Sequence, residues 1–121
     1  MKTILIIDDE PSVRKMLGKL LEKNSYACIE AVNGKQGIQI FKENKPDLVI
    51  SDLIMPEKEG IETIRELKKL DPDVKIIAIS GGGITGPEVY LDLALKLGAS
   101  KVFSKPVSNT RLISAIKELL F

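Results

Sequence analysis

The sequence of 121 residues contains no histidine. This absence excludes Ser-His-Asp and Cys-His catalysis, zinc sites held by histidine, and phosphoryl transfer through a histidine of this chain. Any metal ion must then be held by oxygen ligands. Carboxylates, carbonyls and water favour Mg²⁺, Ca²⁺ or Mn²⁺.

Cysteine is nearly absent, because Cys28 is the only one in the chain. A single cysteine excludes an internal disulfide and fits a reducing compartment, so we expect a cytoplasmic protein. Cys28 falls in a predicted strand, where a cysteine packs as a small hydrophobic residue more often than it acts as a reactive thiol.

Long hydrophobic runs and an excess of either charge are also missing. No apolar run approaches the ~20 residues that a membrane-spanning helix needs, and the apolar N-terminal stretch lacks the cleavage site of a signal peptide. Acidic and basic residues are interspersed and the net charge is +1. We therefore expect no direct contact with membranes or nucleic acid.

The residues that are present describe an ordinary globular domain, with 44% hydrophobic and 29% charged side chains. This length and composition predict one domain over residues 1–121, with enough buried surface to fold without disulfides or metal. No separate output domain is expected in the chain.

Apolar strands and amphipathic helices are predicted to alternate along the whole sequence. The predicted strands cover residues 2–7, 26–31, 47–51, 75–79 and 100–103, and the predicted helices cover 11–24, 36–43, 61–70, 87–97 and 109–120. Short connections between alternating strands and helices imply a parallel sheet with helices on both faces and right-handed crossovers.

Polar side chains stand at the ends of four predicted strands. They are Asp8 and Asp9 after the first strand, Asp52 after the third, Ser80 after the fourth and Lys105 after the fifth. In an open parallel sheet, ligands bind beyond the carboxyl ends of the strands. We therefore expect these side chains to meet around Asp52.

Three carboxylates at one place repel each other unless one keeps its proton or a cation joins them. Mg²⁺ suits such a site best, because it accepts one or two carboxylates and leaves room for a phosphate oxygen. A carboxylate can attack phosphorus and form an aspartyl phosphate. Ser80 and Lys105 could then bind the phosphoryl oxygens, and Gly81 would leave room beside them.

Several short segments together resemble the CheY-like receiver domains of two-component response regulators. The segments are Asp8-Asp9-Glu10 after an apolar strand, Asp52-Leu-Ile-Met-Pro56 followed by Gly60, Ile77-Ala-Ile-Ser-Gly81, Leu97-Gly-Ala99 and Phe103-Ser-Lys-Pro106. The resemblance runs through essentially the whole chain. It implies a flavodoxin-like (βα)5 fold, a doubly wound five-stranded parallel sheet in the order 2-1-3-4-5.

The resemblance also implies a role for each residue at the acidic site. Asp52 would be the phosphoacceptor. Asp9 and Asp52 would bind Mg²⁺ directly, with Mn²⁺ as an alternative ion. Asp8 would act mainly through water, and the backbone carbonyl of Ile54 would complete the protein ligands.

The same resemblance implies how the phosphoryl group is held and exchanged. Ser80 would be the switch hydroxyl next to Gly81, Lys105 would bind phosphate, and the Lys105–Pro106 bond would be cis. The donor would be a sensor histidine kinase or a histidine phosphotransfer protein. The chain would catalyse only its own phosphorylation and dephosphorylation. A downstream protein would bind the face of the fourth helix, fifth strand and fifth helix, where Tyr90 and Lys101 are candidate contacts.

Val102 departs from the common receiver pattern, which often has Tyr or Phe three residues before the lysine. Phe103 follows it, but neighbouring residues of a strand point to opposite faces. A rotating aromatic switch is therefore not predicted. Movement of Ser80 and the glycine-rich loop after it could still couple the phosphoryl group to the fourth helix.

Three other functions remain open at this level. A receiver-shaped scaffold could act by protein contact without phosphorylation. A Mg²⁺-dependent aspartyl-phosphate phosphohydrolase would need a second acid two residues after Asp52, where the chain has Ile54. A flavin carrier would need a glycine- and hydroxyl-rich phosphate loop after the first strand, where the chain has acids.

Overall fold

Five strands and five helices alternate in a computed structural model that describes residues 1–53, 59–81 and 87–120. The strands are β1 (Thr3–Ile7), β2 (Ala27–Ala31), β3 (Leu48–Asp52), β4 (Ile76–Ser80) and β5 (Lys101–Ser104). The helices are α1 (Pro11–Lys23), α2 (Gly34–Asn44), α3 (Glu59–Leu70), α4 (Pro87–Leu97) and α5 (Asn109–Leu120).

The strands form one parallel sheet in the order β2-β1-β3-β4-β5. This arrangement confirms the predicted fold class and strand order. It also brings the carboxyl ends of all five strands to one edge. The order reverses beside β1, between β1 and β3, which is where the ligand site of a doubly wound sheet lies.

Each observed strand begins one residue later than predicted, and three of them also end one residue later. Asp52, Ser80 and Ser104 are the last residues of β3, β4 and β5. These polar residues belong to the strands because their backbones continue the ladder, in which Ser80 is the register partner of Ser104. Ladder hydrogen bonds are made by the backbone, so a polar side chain does not end a strand.

The sheet buries an apolar core on each face, because successive side chains of a strand point in opposite directions. The core under α2, α3 and α4 includes Leu5, Ile7, Val49, Ala78, Ile38, Phe41, Ile64, Leu67 and Ala94. The core under α1 and α5 includes Ile4, Ile6, Ile50, Ile77, Leu17, Leu21, Leu112 and Ile116. The continuous apolar strands of the sequence therefore reflect burial on both sides.

Local signals define several helix ends. Pro11 is the first residue of α1, and Asn33 Oδ1 accepts a hydrogen bond of 2.8 Å from the backbone N–H of Gln36 at the start of α2. Ser108 Oγ accepts a hydrogen bond of 3.4 Å from the backbone N–H of Arg111 before α5. Gly98 follows α4 with a φ of 113°, a conformation that favours glycine.

Cys28 lies in β2 and packs against the core under α1 and α5. Burial raises the pKa of its thiol to about 11, with a smaller contribution from the carboxylates of Glu30 and Glu22. A thiol with this pKa is a poor nucleophile at neutral pH. Among the described helices, none has the length and hydrophobicity that a membrane-spanning segment requires.

Gly60, at the start of α3, lies against the backbone that carries Asp52. A Cβ atom at this position would lie 2.6 Å from the carbonyl oxygen of Asp52, 2.6 Å from Leu53 Cα and 2.8 Å from the Leu53 carbonyl oxygen. Such atoms belong to the main chain and cannot rotate away. Glycine therefore lets α3 approach the end of β3.

We expect Gly60→Ala to destabilise the protein by about 1–3 kcal/mol, the usual cost of overpacking a well-packed site. Gly18→Ala is the matched control. Its Cβ would meet Cys28 Sγ at 3.8 Å and Glu30 Oε2 at 4.0 Å, so we expect a gain of about 0.5–1 kcal/mol from replacing a helical glycine. Urea unfolding followed by circular dichroism measures both changes. Equal stability of the two variants would contradict the close approach of α3.

Candidate functional site

Three polar side chains are buried at the carboxyl edge of the sheet. Asp8 is 3% exposed, Asp52 is 3% exposed and Ser80 is 0% exposed. Asp8 directly follows β1, while Asp52 and Ser80 end β3 and β4. Because β1, β3 and β4 are adjacent in the sheet, their ends place these side chains beside one another.

Lys105 reaches this acidic group from the segment that follows β5. Its Nζ lies 3.2 Å from Asp52 Oδ2, within hydrogen-bond distance, and 3.7 Å from Asp8 Oδ2. Its backbone N–H donates a hydrogen bond of 2.9 Å to the Ser80 carbonyl, and the Lys105–Pro106 peptide bond is cis. Burial disfavours the charge on Lys105, but Asp52 and Asp8 outweigh burial and raise the pKa of Lys105.

The environment of this site raises the pKa of Asp8. Burial raises its pKa to about 6; the backbone N–H of Glu10 opposes this increase, and the Asp52 carboxylate adds to it. That N–H donates a hydrogen bond of 2.9 Å to Asp8 Oδ1. The single positive charge of Lys105 is thus insufficient to keep the pKa of Asp8 at its ordinary value.

The donor atoms near Asp8 fit a hard divalent cation. Carboxylate oxygens of Asp8, Asp9 and Glu10 lie within 4.8 Å of one another, with Asp8 buried and the other two exposed. Oxygen-only donors and repelling carboxylates are the chemistry that Mg²⁺ or Mn²⁺ accommodates. Glu10 was not named from the sequence as a candidate ligand, and its position next to the Asp8-Asp9 pair is the only signal that could have indicated it.

Ser80 and Gly81 lie beside this group. Ser80 Oγ donates a hydrogen bond of 3.3 Å to the Gly81 carbonyl. A Cβ atom at Gly81 would meet Lys105 Cδ at 3.5 Å, so the absence of a side chain leaves room next to the lysine stem. The predicted ligand carbonyl of Ile54 lies outside the described residues, as does the loop over residues 82–86.

Val102 and Phe103 lie on opposite faces of β5. Val102 packs against the core under α2, α3 and α4, whereas Phe103 packs against the core under α1 and α5. Phe103 therefore cannot take the place of an aromatic residue at position 102. Lys101 of the same strand pairs with Glu118 of α5 at 3.2 Å, and the side chain of Tyr90 lies outside the described part of the chain.

Arg14 is a residue at this edge that sequence reasoning missed. Its Nη1 donates a hydrogen bond of 2.7 Å to the backbone carbonyl of Asp8, and its Nε lies 3.3 Å from Glu30 Oε1. No local pattern indicates the contact with Glu30, because it depends on β2 lying beside β1.

Comparison with known proteins gives a consistent result. The family profile described as "Response regulator receiver domain" matches residues 4–117. The chain is 37% identical over 119 residues to the chemotaxis protein CheY of Thermotoga maritima, covering 98% of this chain and 97% of that protein. It is 32% identical over 120 residues to sporulation initiation phosphotransferase F of Bacillus subtilis, covering 97% of this chain and 92% of that protein.

A solved structure supports the same relationship. The crystal structure of a response regulator receiver domain protein from Clostridium thermocellum superposes with a TM-score of 0.92 at 34% sequence identity, covering 99% of this chain and 94% of that chain. Sequence and fold therefore agree over nearly the full length. The chain belongs to the response regulator receiver domain family.

Proposed function

We propose that this receiver domain accepts a phosphoryl group on Asp52 in the presence of Mg²⁺ and transmits the signal by protein contact. Receiver domains are phosphorylation switches of two-component systems rather than enzymes in the ordinary sense. They interact with histidine kinases or phosphotransfer proteins, and we propose such a protein as the phosphoryl donor here. The lone cysteine of this chain fits a cytoplasmic location.

The observation that carries this proposal is the contact of Lys105 with two buried acids. Lys105 Nζ lies 3.2 Å from Asp52 Oδ2 and 3.7 Å from Asp8 Oδ2. A neighbouring ammonium group favours the ionised form of a carboxylate, and an ionised carboxylate can act as a nucleophile. The same ammonium group can then bind an oxygen of the transferred phosphoryl group.

In the proposed reaction, an Oδ atom of Asp52 forms a bond to phosphorus while the bond between phosphorus and the donor imidazole nitrogen breaks. The released imidazole nitrogen takes up a proton. Lys105 donates a hydrogen bond to one phosphoryl oxygen, and Ser80 Oγ donates to another after leaving the Gly81 carbonyl. Water later attacks the phosphorus of the acyl phosphate, so that inorganic phosphate leaves and the Asp52 carboxylate is restored. We propose that the chain catalyses only its own phosphorylation and this dephosphorylation.

Asp8, Asp9 and Asp52 are the side chains that we propose to hold Mg²⁺ or Mn²⁺, together with the carbonyl of Ile54. Glu10 is close enough to Asp8 and Asp9 to join them. A bound cation would supply positive charge that reduces repulsion among the carboxylates and toward phosphoryl oxygens. We propose that Asp8 must be ionised for this role, which links metal affinity to its raised pKa.

Phosphorylation should depend on Asp52 and on Mg²⁺. After incubation with acetyl phosphate and Mg²⁺, we expect intact mass spectrometry to show one added phosphoryl group, which Asp52→Asn or chelation abolishes. Asp47→Asn is the matched control, because Asp47 is an exposed carboxylate just before the opposite end of β3. A full-yield adduct on the Asp52→Asn protein would contradict the assignment of Asp52 as the phosphoacceptor. An unmodified wild-type protein would instead favour a scaffold that is not phosphorylated.

The raised pKa of Asp8 predicts how stability depends on pH without metal. Between its ordinary pKa of 3.8 and its folded pKa of about 6, the folded state binds more protons than the unfolded state. Stability should therefore fall as pH rises through this window, by up to about 3 kcal/mol at about 1.4 kcal/mol per unit of pKa. Asp8→Asn should remove this contribution.

Urea unfolding in the presence of a chelator, at several pH values between 4 and 7, would measure the difference in the free energy of unfolding between wild type and Asp8→Asn. We expect Asp8→Asn to become more stable relative to wild type as pH rises. Excess Mg²⁺ should reverse its sign near neutral pH, because the ionised wild-type carboxylate binds metal. A difference that does not change with pH in chelator would contradict the raised pKa.

We further propose that Ser80 couples the phosphoryl group to the output face formed by α4, β5 and α5. Ser80 is fully buried and its backbone carbonyl accepts the hydrogen bond from Lys105 N–H. Movement of Ser80 would therefore act on β5 and on the chain that leads to α4. This route requires no aromatic residue at position 102, where the chain has Val102.

Ser80→Ala should still be phosphorylated on Asp52 but should lose the shifts of α4 backbone amides that phosphorylation produces in wild type. Ser104→Ala is the control, since Ser104 is the exposed register partner of Ser80 on β5. Two-dimensional amide spectra before and after acetyl phosphate treatment would report the shifts. Unchanged α4 amides in phosphorylated wild type would refute the proposed route.

A further inference from the structure

We infer that Arg14 is a positioning residue that sets the affinity of the acidic site for Mg²⁺ by fixing the backbone of Asp8. This inference rests on the magnesium site proposed above. Arg14 Nη1 donates a hydrogen bond of 2.7 Å to the backbone carbonyl of Asp8.

The contact fixes the peptide group that joins the two aspartates. The carbonyl of Asp8 and the N–H of Asp9 belong to one planar unit, so a donor held at that carbonyl also limits the orientation of Asp9. The N–H of Asp8 is already bound to the Ala31 carbonyl at 3.2 Å. Arg14 thus restrains the turn between β1 and α1 at the Asp8 carbonyl, while β2 restrains it at the Asp8 N–H.

Glu30 holds the guanidinium in this position. Arg14 Nε lies 3.3 Å from Glu30 Oε1, and the side chains are 13% and 47% exposed. Arginine suits this arrangement because its fixed fork can donate to two acceptors at once. The chain formed by Glu30, Arg14 and the Asp8 carbonyl therefore connects β2, α1 and the acidic turn.

The charge of Arg14 acts in the opposite direction to its hydrogen bond. A positive charge near a cation site weakens cation binding, whereas a fixed ligand turn strengthens it. Because Glu30 neutralises the guanidinium, we expect the hydrogen bond to dominate. Residues that orient metal ligands without binding the metal typically change its affinity by about 10–100-fold when they are removed.

The test is isothermal titration calorimetry of Mg²⁺ into the unphosphorylated full chain, with no phosphoryl donor present. We expect Arg14→Met to raise the dissociation constant on the order of tenfold. Arg14→Lys should recover part of the affinity, because one ammonium group can reach only one of the two partners well. Glu30→Gln should cause a smaller increase than Arg14→Met.

Lys15→Met is the matched control, because it removes the same charge from an exposed neighbouring position on α1. We expect its dissociation constant to equal that of wild type. Saturating Mg²⁺ should restore full phosphorylation of Arg14→Met, since Arg14 is not proposed to contact the phosphoryl group. A purely structural role would lower the free energy of unfolding without changing the dissociation constant of the folded protein.

A dissociation constant for Arg14→Met that equals or falls below that of wild type would overturn the role of Arg14 and leave the magnesium site intact. If Arg14→Met does not fold, unchanged affinity in both Arg14→Lys and Glu30→Gln would overturn it equally. If wild type itself binds no Mg²⁺, and Asp9→Asn behaves identically, the metal site fails together with the inference.

Discussion

The burial of two carboxylates beside one ammonium group is the interaction on which the site depends. Asp8 and Asp52 are both 3% exposed, and Lys105 is the cation that contacts them within the described residues. Charges in such surroundings interact more strongly than charges in water. One positive charge against two or more negative charges leaves the group attractive to a further cation. Burial, to which the Asp52 carboxylate adds, raises the pKa of Asp8 to about 6.

The backbone of the fold brings these charged side chains together. Parallel strands end at the same edge, so the ends of β1, β3 and β4 bring Asp8, Asp52 and Ser80 to one small region. Gly60 lets α3 lie against the backbone at Asp52 and Leu53. Arg14 and Ala31 restrain Asp8 at its carbonyl and its N–H. The contacts that position Asp8 and Asp52 at this edge therefore involve mainly main-chain atoms.

The proposed chemistry at Asp52 and its proposed transmission to other proteins depend on different parts of the molecule. The chemistry needs charge, which the acids and Lys105 provide at the ends of the strands. Transmission needs a group with two arrangements, and we propose Ser80 for this role, whose hydroxyl donates a hydrogen bond to the neighbouring Gly81 carbonyl. Val102 packs against the core under α2, α3 and α4.

The sequence by itself determined the alternation of strands and helices and placed Asp8, Asp52 and Ser80 close to the carboxyl ends of strands, because hydrophobic periodicity is a local property of the chain. The tertiary structure decided the strand limits, since ladder hydrogen bonds depend on neighbours rather than on side-chain polarity. It also decided the contacts of Lys105 with Asp52 and of Arg14 with Glu30. Those pairs join distant segments, and only the order of the strands brings such segments within reach.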